Sequence, residues 1–241
     1  MSGTIALVGG DEFRVGCEEM DREVMRASGR HTPERGNPAS VIVIPTAAVT
    51  GPAKAANDGV THFAALGGSA SQLMVLESSH ANDADFVAAV SDADVVYFTG
   101  GNPDHLLETL RGSTLLRMLT EGLERGLVLG GSSAGAMVMG SVMRRPPLYD
   151  GGDGKDRWVE GLGIAPDICV LPHHERRDPA EVSAGLRQSA PAGVVYLGID
   201  ARTGVIGSRD NWRVSGFGKV TVYRYGDYVV YGAGEQLPPG F

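Results

Sequence analysis

Leu127-Val128-Leu129-Gly130-Gly131-Ser132-Ser133-Ala134-Gly135-Ala136-Met137-Val138-Met139 is the stretch that decides how the rest of the chain is read. A short apolar run meets two glycines, then a pair of serines, then small residues compatible with a helix. A strand, a sharp turn and a helix would be written this way. Residues 131–135 fit G-x-S-x-G, in which a serine is forced onto a strained turn and its hydroxyl stands clear. Gly131 and Gly135 leave room for the turn and for close packing of the next helix. Taken alone, the pentapeptide reads equally as a Gly/Ser-rich loop, so its chemistry depends on what the rest of the chain supplies.

Working outward, apolar strand patterns at 5–8, 41–44, 72–76 and 95–98 precede this stretch. Further strand patterns follow at 168–171 and 194–199. Helical patterns at 18–27, 53–66, 83–90, 104–111, 114–125 and 180–189 alternate with them. Strands that are apolar throughout, separated by helices, predict a mostly parallel sheet covered on both faces. Segments 220–225 and 228–231 around Gly226-Asp227 predict a C-terminal β-hairpin. Residues 144–158, with Pro146-Pro147 and Gly151-Gly152-Asp153-Gly154, predict a long polar loop. No internal repeat or long linker divides the chain, so residues 1–241 are expected to form one domain.

At 42% hydrophobic and 21% charged residues, the composition is that of a globular protein with ample core material. A net charge of −8 argues against nucleic acid or an anionic membrane as the main partner. Cys17 and Cys169 form no disulfide framework or metal-ligand spacing. Neither a leader-like N-terminus nor an apolar run of about 18 residues is present. A cytoplasmic location is therefore expected. Assembly is left open, with a homodimer among the options.

Open parallel sheets gather ligands at the carboxyl ends of their strands. Gly9-Gly10, Gly100-Gly101 and Gly130-Gly131 all fall there. The first is read as an ordinary glycine-favoured turn, and no nucleotide-binding glycine signature is present. A serine hydroxyl needs a base to remove its proton. Of the six histidines, His31 and His62 read as solvated or structural. His173 and His174 close a buried strand pattern, which makes this pair the favoured source of the base. A two-histidine metal site is the weaker alternative, since successive strand residues point to opposite faces. Donors for a developing oxyanion would be the amide of Ala134, after the nucleophile, and one from Gly100-Gly101.

These pieces resemble the serine-peptidase family of dipeptidase E (aspartyl dipeptidase) and cyanophycinase. The resemblance rests on Phe98-Thr99-Gly100-Gly101-Asn102, residues 131–136, Pro172-His173, Leu197-Gly198-Ile199-Asp200 and the opening segment 41–47, in family order. It implies a three-layer α/β/α sandwich akin to class I glutamine amidotransferase domains. It further implies Ser133 as nucleophile, His173 as base, the Gly101 and Ala134 amides as oxyanion hole, and no metal or organic cofactor. Asn102, His174 and Arg177 fall at substrate-binding positions. The implied reaction is cleavage of a small peptide or isopeptide through an acyl-enzyme.

The departures bear on substrate and triad. Asn102-Pro103 and Leu171-Pro172 replace polar residues that hold a β-aspartyl-arginine unit in cyanophycinases, which argues against cyanophycin itself. Ala201 replaces the glutamate of the cyanophycinase pattern. Asp200 is taken as the triad acid, with Asp150, Asp153 and Glu175 as alternatives. A non-catalytic, ligand-binding homologue is the competing reading. An α/β-hydrolase esterase ranks lower, because that fold places its histidine late and none follows His174.

Overall fold

Apolar strands with no polar face need cover on both sides. In the computed structural model, which describes residues 3–29, 36–145, 157–208 and 211–241, helices provide it. The central sheet has seven strands among the described residues. Their order is β11 (Asn211–Gly216), β10 (Thr203–Ser208), β1 (Thr4–Val8), β5 (Val128–Ser132), β4 (Val95–Phe98), β2 (Ser40–Ile44) and β3 (Ser69–Gln72). Strands β1, β5, β4, β2 and β3 run parallel, whereas β10 pairs antiparallel with both β1 and β11.

Side-chain alternation sends neighbours to opposite faces. Ala6, Val41, Val43, Val95, Tyr97 and Val128 pack with Val24 and Met25 of α1 (Glu18–Arg26) and Phe63 of α2 (Pro52–Ala65). Ile5, Leu7, Ile42, Ile44, Val96, Phe98 and Leu129 face the other way. There they meet Val87 of α3 (Ala84–Ala89), Leu106 of α4 (Pro103–Leu110), Leu119 of α5 (Thr114–Glu124) and Val138 of α6 (Ala134–Met139). Helix starts are set locally: Asp83, Asn102 and Ser113 cap α3, α4 and α5 by accepting early backbone N–H groups.

The expected single sheet is in fact divided. A second, four-stranded sheet has the order β13 (Asp227–Gly232), β12 (Lys219–Arg224), β9 (Val195–Ile199), β8 (Ile168–Leu171). Its inner side chains Val170, Leu197 and Val222 join the large core beside α6. Its outer ones, Cys169, Leu171, Tyr196 and Tyr223, are covered by Val182 and Leu186 of α7 (Pro179–Ser189). The predicted terminal hairpin is the β12–β13 pair.

Two further expectations shift. The third strand spans Ser69–Gln72 rather than 72–76, because an edge strand with an open flank need not be apolar. The stretch 144–158 begins and ends in strand: β6 (Val142–Arg145) pairs antiparallel with β7 (Arg157–Glu160). Asp150 and Asp153, two alternatives for the acid, lie outside the described residues. Among the described residues, no helix is long and apolar enough to cross a membrane.

Candidate active site

Strand β5 lies between β1 and β4, so the turns that leave these three strands are neighbours. Ser133 follows β5 with φ 48° and ψ −108°, and α6 begins at the next residue. Such a conformation costs a non-glycine residue on the order of 1–3 kcal/mol and persists only where its surroundings hold it. Here the Ser133 N–H donates to the Val8 carbonyl at 2.9 Å, and its own carbonyl accepts the Met137 N–H at 2.9 Å. The flanking glycines permit the packing: a Cβ on Gly135 would stand 2.6 Å from the Phe98 carbonyl oxygen.

His173 arrives from the second sheet. It leaves β8 in the left-handed region, at φ 52° and ψ 43°, and its N–H donates to the Gly9 carbonyl at 2.9 Å. This brings its Nε2 to 3.4 Å from the Ser133 Oγ. Both side chains are half-buried, so the pair is shielded yet reachable. A serine–imidazole pair at this separation shortens as substrate docks.

Gly9-Gly10 does more than the ordinary turn expected of it. Gly10 has φ 131°, and a Cβ there would intrude on the His173 ring, 2.6 Å from Nε2. Its carbonyl accepts the Arg202 N–H at 2.8 Å, which ties the turn to the segment after β9. The bare backbone of Gly10 therefore forms one wall of the imidazole's seat.

The acid is where expectation and geometry part. Asp200 is not hydrogen-bonded to His173: its Oδ2 accepts the Lys219 N–H at 2.9 Å, at the end of the antiparallel pairing of β9 with β12. Its charge acts on His174 instead. Glu175 places Oε2 2.8 Å from the Ala201 N–H, the position where the related pattern carries its glutamate. Burial resists ionisation of Glu175, but the Ala201 amide, its own amide and the nearby His173 together hold its carboxyl below the usual range. The Nδ1 of His173 is buried and meets no hydrogen-bond partner among the described residues.

The remaining expected residues divide. His174 is only 3% exposed, packs under Gly198 and shares a 2.7 Å hydrogen bond with the Tyr223 hydroxyl. It sits in the interior of the second sheet rather than along the cleft. The Asn102 Oδ1 accepts the N–H groups of Asp104 and His105 at 3.0 and 3.1 Å, so this oxygen is spent on capping α4. Arg177 is exposed, immediately after the short 3-10 turn His174–Arg176. Ala134 opens α6, where a backbone N–H has no acceptor within its own helix. Gly101 lies in the turn beside the elbow: a Cβ on the preceding Gly100 would sit 3.3 Å from the Ser133 Cβ.

One residue at the centre went unnoticed in the sequence. The Glu12 Oε1 accepts the Gly100 N–H at 2.7 Å, and its Oε2 accepts the Ser132 hydroxyl at 2.7 Å. An acid two residues beyond a glycine turn at a strand end was the available signal. Among the described residues, no group of three or more His, Cys, Asp or Glu side chains is placed to hold a metal ion.

Comparison with known proteins identifies a family. Residues 30–206 match Peptidase family S51. The chain is 27% identical over 234 residues to cyanophycinase of Geminocystis herdmanii, covering 92% of this chain and 80% of that protein. It is 29% identical over 160 residues to peptidase E of Citrobacter koseri, covering 65% and 66% of the two. A crystal structure of a peptidase from an acI-B1 Actinobacterium superposes with a TM-score of 0.81 at 27% identity, covering 99% and 97% of the two chains. A strained serine within reach of an imidazole, in a chain so matched, leads to one assignment: this protein belongs to peptidase family S51 and is, at the level of that family, a serine-type peptidase.

Proposed function

We propose that the protein cleaves a small peptide or isopeptide amide through an acyl-enzyme formed on Ser133. The observation that carries this reading is the 3.4 Å approach of Ser133 Oγ to His173 Nε2 across two sheets. Ser133 Oγ attacks the substrate carbonyl carbon as its proton passes to His173 Nε2. The amide N–H groups of Gly101 and Ala134 receive the oxyanion. The carbon–nitrogen bond then breaks, and His173 returns the proton to the leaving amine. Water, deprotonated by the same nitrogen, attacks the ester and frees Ser133.

Arg177, exposed beside the histidine turn, is the group proposed to take a substrate carboxylate in a bidentate contact. The relatives named cyanophycinase and peptidase E make aspartyl dipeptides, α- and β-linked, the first compounds to try. Free-amine release from such a panel should be seen with the parent and lost, by about three orders of magnitude or more, in Ser133→Ala. Equal release by the two proteins would overturn the assignment of the nucleophile.

A second reading has one observation in its favour. The buried Nδ1 of His173 lacks a carboxylate partner among the described residues, and an imidazole without one is poorly oriented for proton transfer. On this reading the fold is kept for binding alone. Ligand affinity unchanged in Ser133→Ala, with no turnover by the parent, would favour it.

A further inference from the structure

Strand ladders hold β5 in place only up to a point. The paired register between β4 and β5 ends at Phe98↔Gly131, and that between β1 and β5 ends at Val8↔Ser132. Beyond those pairs lie the two segments whose separation matters most to acyl transfer. One is the turn carrying Gly101; the other is the elbow carrying Ser133. An oxyanion donor is effective only within a few tenths of an ångström of its proper place, so something must fix one segment against the other.

We propose that Glu12 is a positioning residue that clamps the Gly100-Gly101 turn to the Ser132-Ser133 elbow. One carboxylate oxygen holds the Gly100 N–H and the other holds the Ser132 hydroxyl, each at 2.7 Å. These two contacts lie 88 and 120 residues away along the chain. They continue the join between β4 and β5 with side-chain oxygens after the backbone ladder has stopped. The carboxylate also sits against the reacting corner: a Cβ on Gly100 would meet Glu12 Oε1 at 3.0 Å and the Ser133 Cβ at 3.3 Å.

The loop that carries Glu12 is built to aim it. Asp11 and Phe13, on either side, both take positive φ, at 54° and 62°. Phe13 is anchored among the rings of His62, Phe63 and Tyr97 at 5.5, 5.8 and 5.5 Å, which offsets the strain of those two residues. Glu12 precedes residues 30–206, the part of the chain that the family match covers.

This inference rests on the proposed nucleophile, and its test is chosen to separate the two. A fluorophosphonate probe forms an Oγ–phosphorus bond at Ser133 as fluoride leaves, and it needs the nucleophile and oxyanion donors but no peptide specificity. Glu12→Ala should lower the maximal rate of labelling about 100-fold while the half-saturating probe concentration stays within about twofold. Glu12→Gln keeps an acceptor for Gly100 and can donate to the Ser132 oxygen, so it should recover to within about fivefold of the parent. Ser132→Ala removes one of the two contacts and should cost about tenfold. It also carries the test if Glu12→Ala fails to fold. A purely structural role would lower the thermal midpoint and leave the labelling rate of the folded protein unchanged. Glu12→Ala or Ser132→Ala labelling at the parent's rate would overturn the proposal, as would Glu12→Gln as slow as Glu12→Ala. A parent that never labels would instead overturn the assignment of Ser133.

Discussion

Burial sets how readily His174 takes a proton. Burial pushes the pKa of His174 below its ordinary 6.5; the charge of Asp200 opposes this, Arg177 adds to it, and Glu175 opposes it. The folded protein therefore binds that proton less readily than the unfolded chain does. The stability tied to neutral His174 is complete above about pH 6.5 and is lost as pH falls through the folded-state value. His174→Phe keeps a ring against Gly198 and cannot titrate. It should lose about 1 kcal/mol at pH 7.5 with its bond to the Tyr223 hydroxyl. Between pH 7 and pH 5, however, its thermal midpoint should fall less than the parent's. Parallel midpoint curves for the two proteins would remove His174 from the acid limb. At this scale Ser133 and His173 were legible in the sequence because each sits at the end of an apolar strand. The division between His173 and His174 was not, since a left-handed residue at His173 undoes strand alternation and no residue type announces it.

Among elements, a buried polar tie joins α1 to α2. The Nε2–H of His62 donates to the Asp21 Oδ2 at 2.7 Å, with the two side chains 10% and 1% exposed. Burial pushes the Asp21 carboxyl up, and His62 opposes that by bond and by charge. His62 read as structural from its place in a helical pattern, and the contact makes that role specific. His62→Ala would strand a buried carboxyl, so it should cost about 3 kcal/mol in urea unfolding. Lys54 and Asp58 also pair on α2, but their side chains are 78% and 45% exposed. Lys54→Ala should stay within about 0.5 kcal/mol of the parent. Similar costs for the two substitutions would show that burial does not govern the first. Helix positions were legible because stretches of helix-forming composition separate the apolar strand runs. β10 and β11 escaped notice because Gly204, Gly207 and polar residues blur their alternation. What defines them is pairing with β1 and with each other, a long-range property.

Across the whole molecule, the serine stands on one sheet and the histidine on another, so their meeting depends on how the two sheets are joined. The alternating strand and helix patterns predict parallel pairing, but not that β8 and β9 leave the central sheet together and that β9 pairs with β12. That choice is set by contacts between residues far apart in the chain. Gly9 and Gly10 form much of the joint on the cleft side: Gly9 accepts the His173 N–H, and Gly10 accepts the Arg202 N–H. Both come from the central sheet, and both acceptors serve segments that leave the second. A Cβ on Gly10 would occupy space now filled by the imidazole, in a backbone conformation, φ 131°, that disfavours any side chain. The ring can turn aside more easily than the sheets can separate, so Gly10→Ala should spare the fold and harm the reaction. Its thermal midpoint should drop by no more than a few degrees, as for a substitution of about 1 kcal/mol. Its rate of fluorophosphonate labelling should fall about 100-fold or more, because a displacement of about 1 Å is enough to end productive proton transfer. A Gly10→Ala protein that labels as fast as the parent would mean that the imidazole is seated by the second sheet alone, and that the joint through Gly9 and Gly10 merely closes the core.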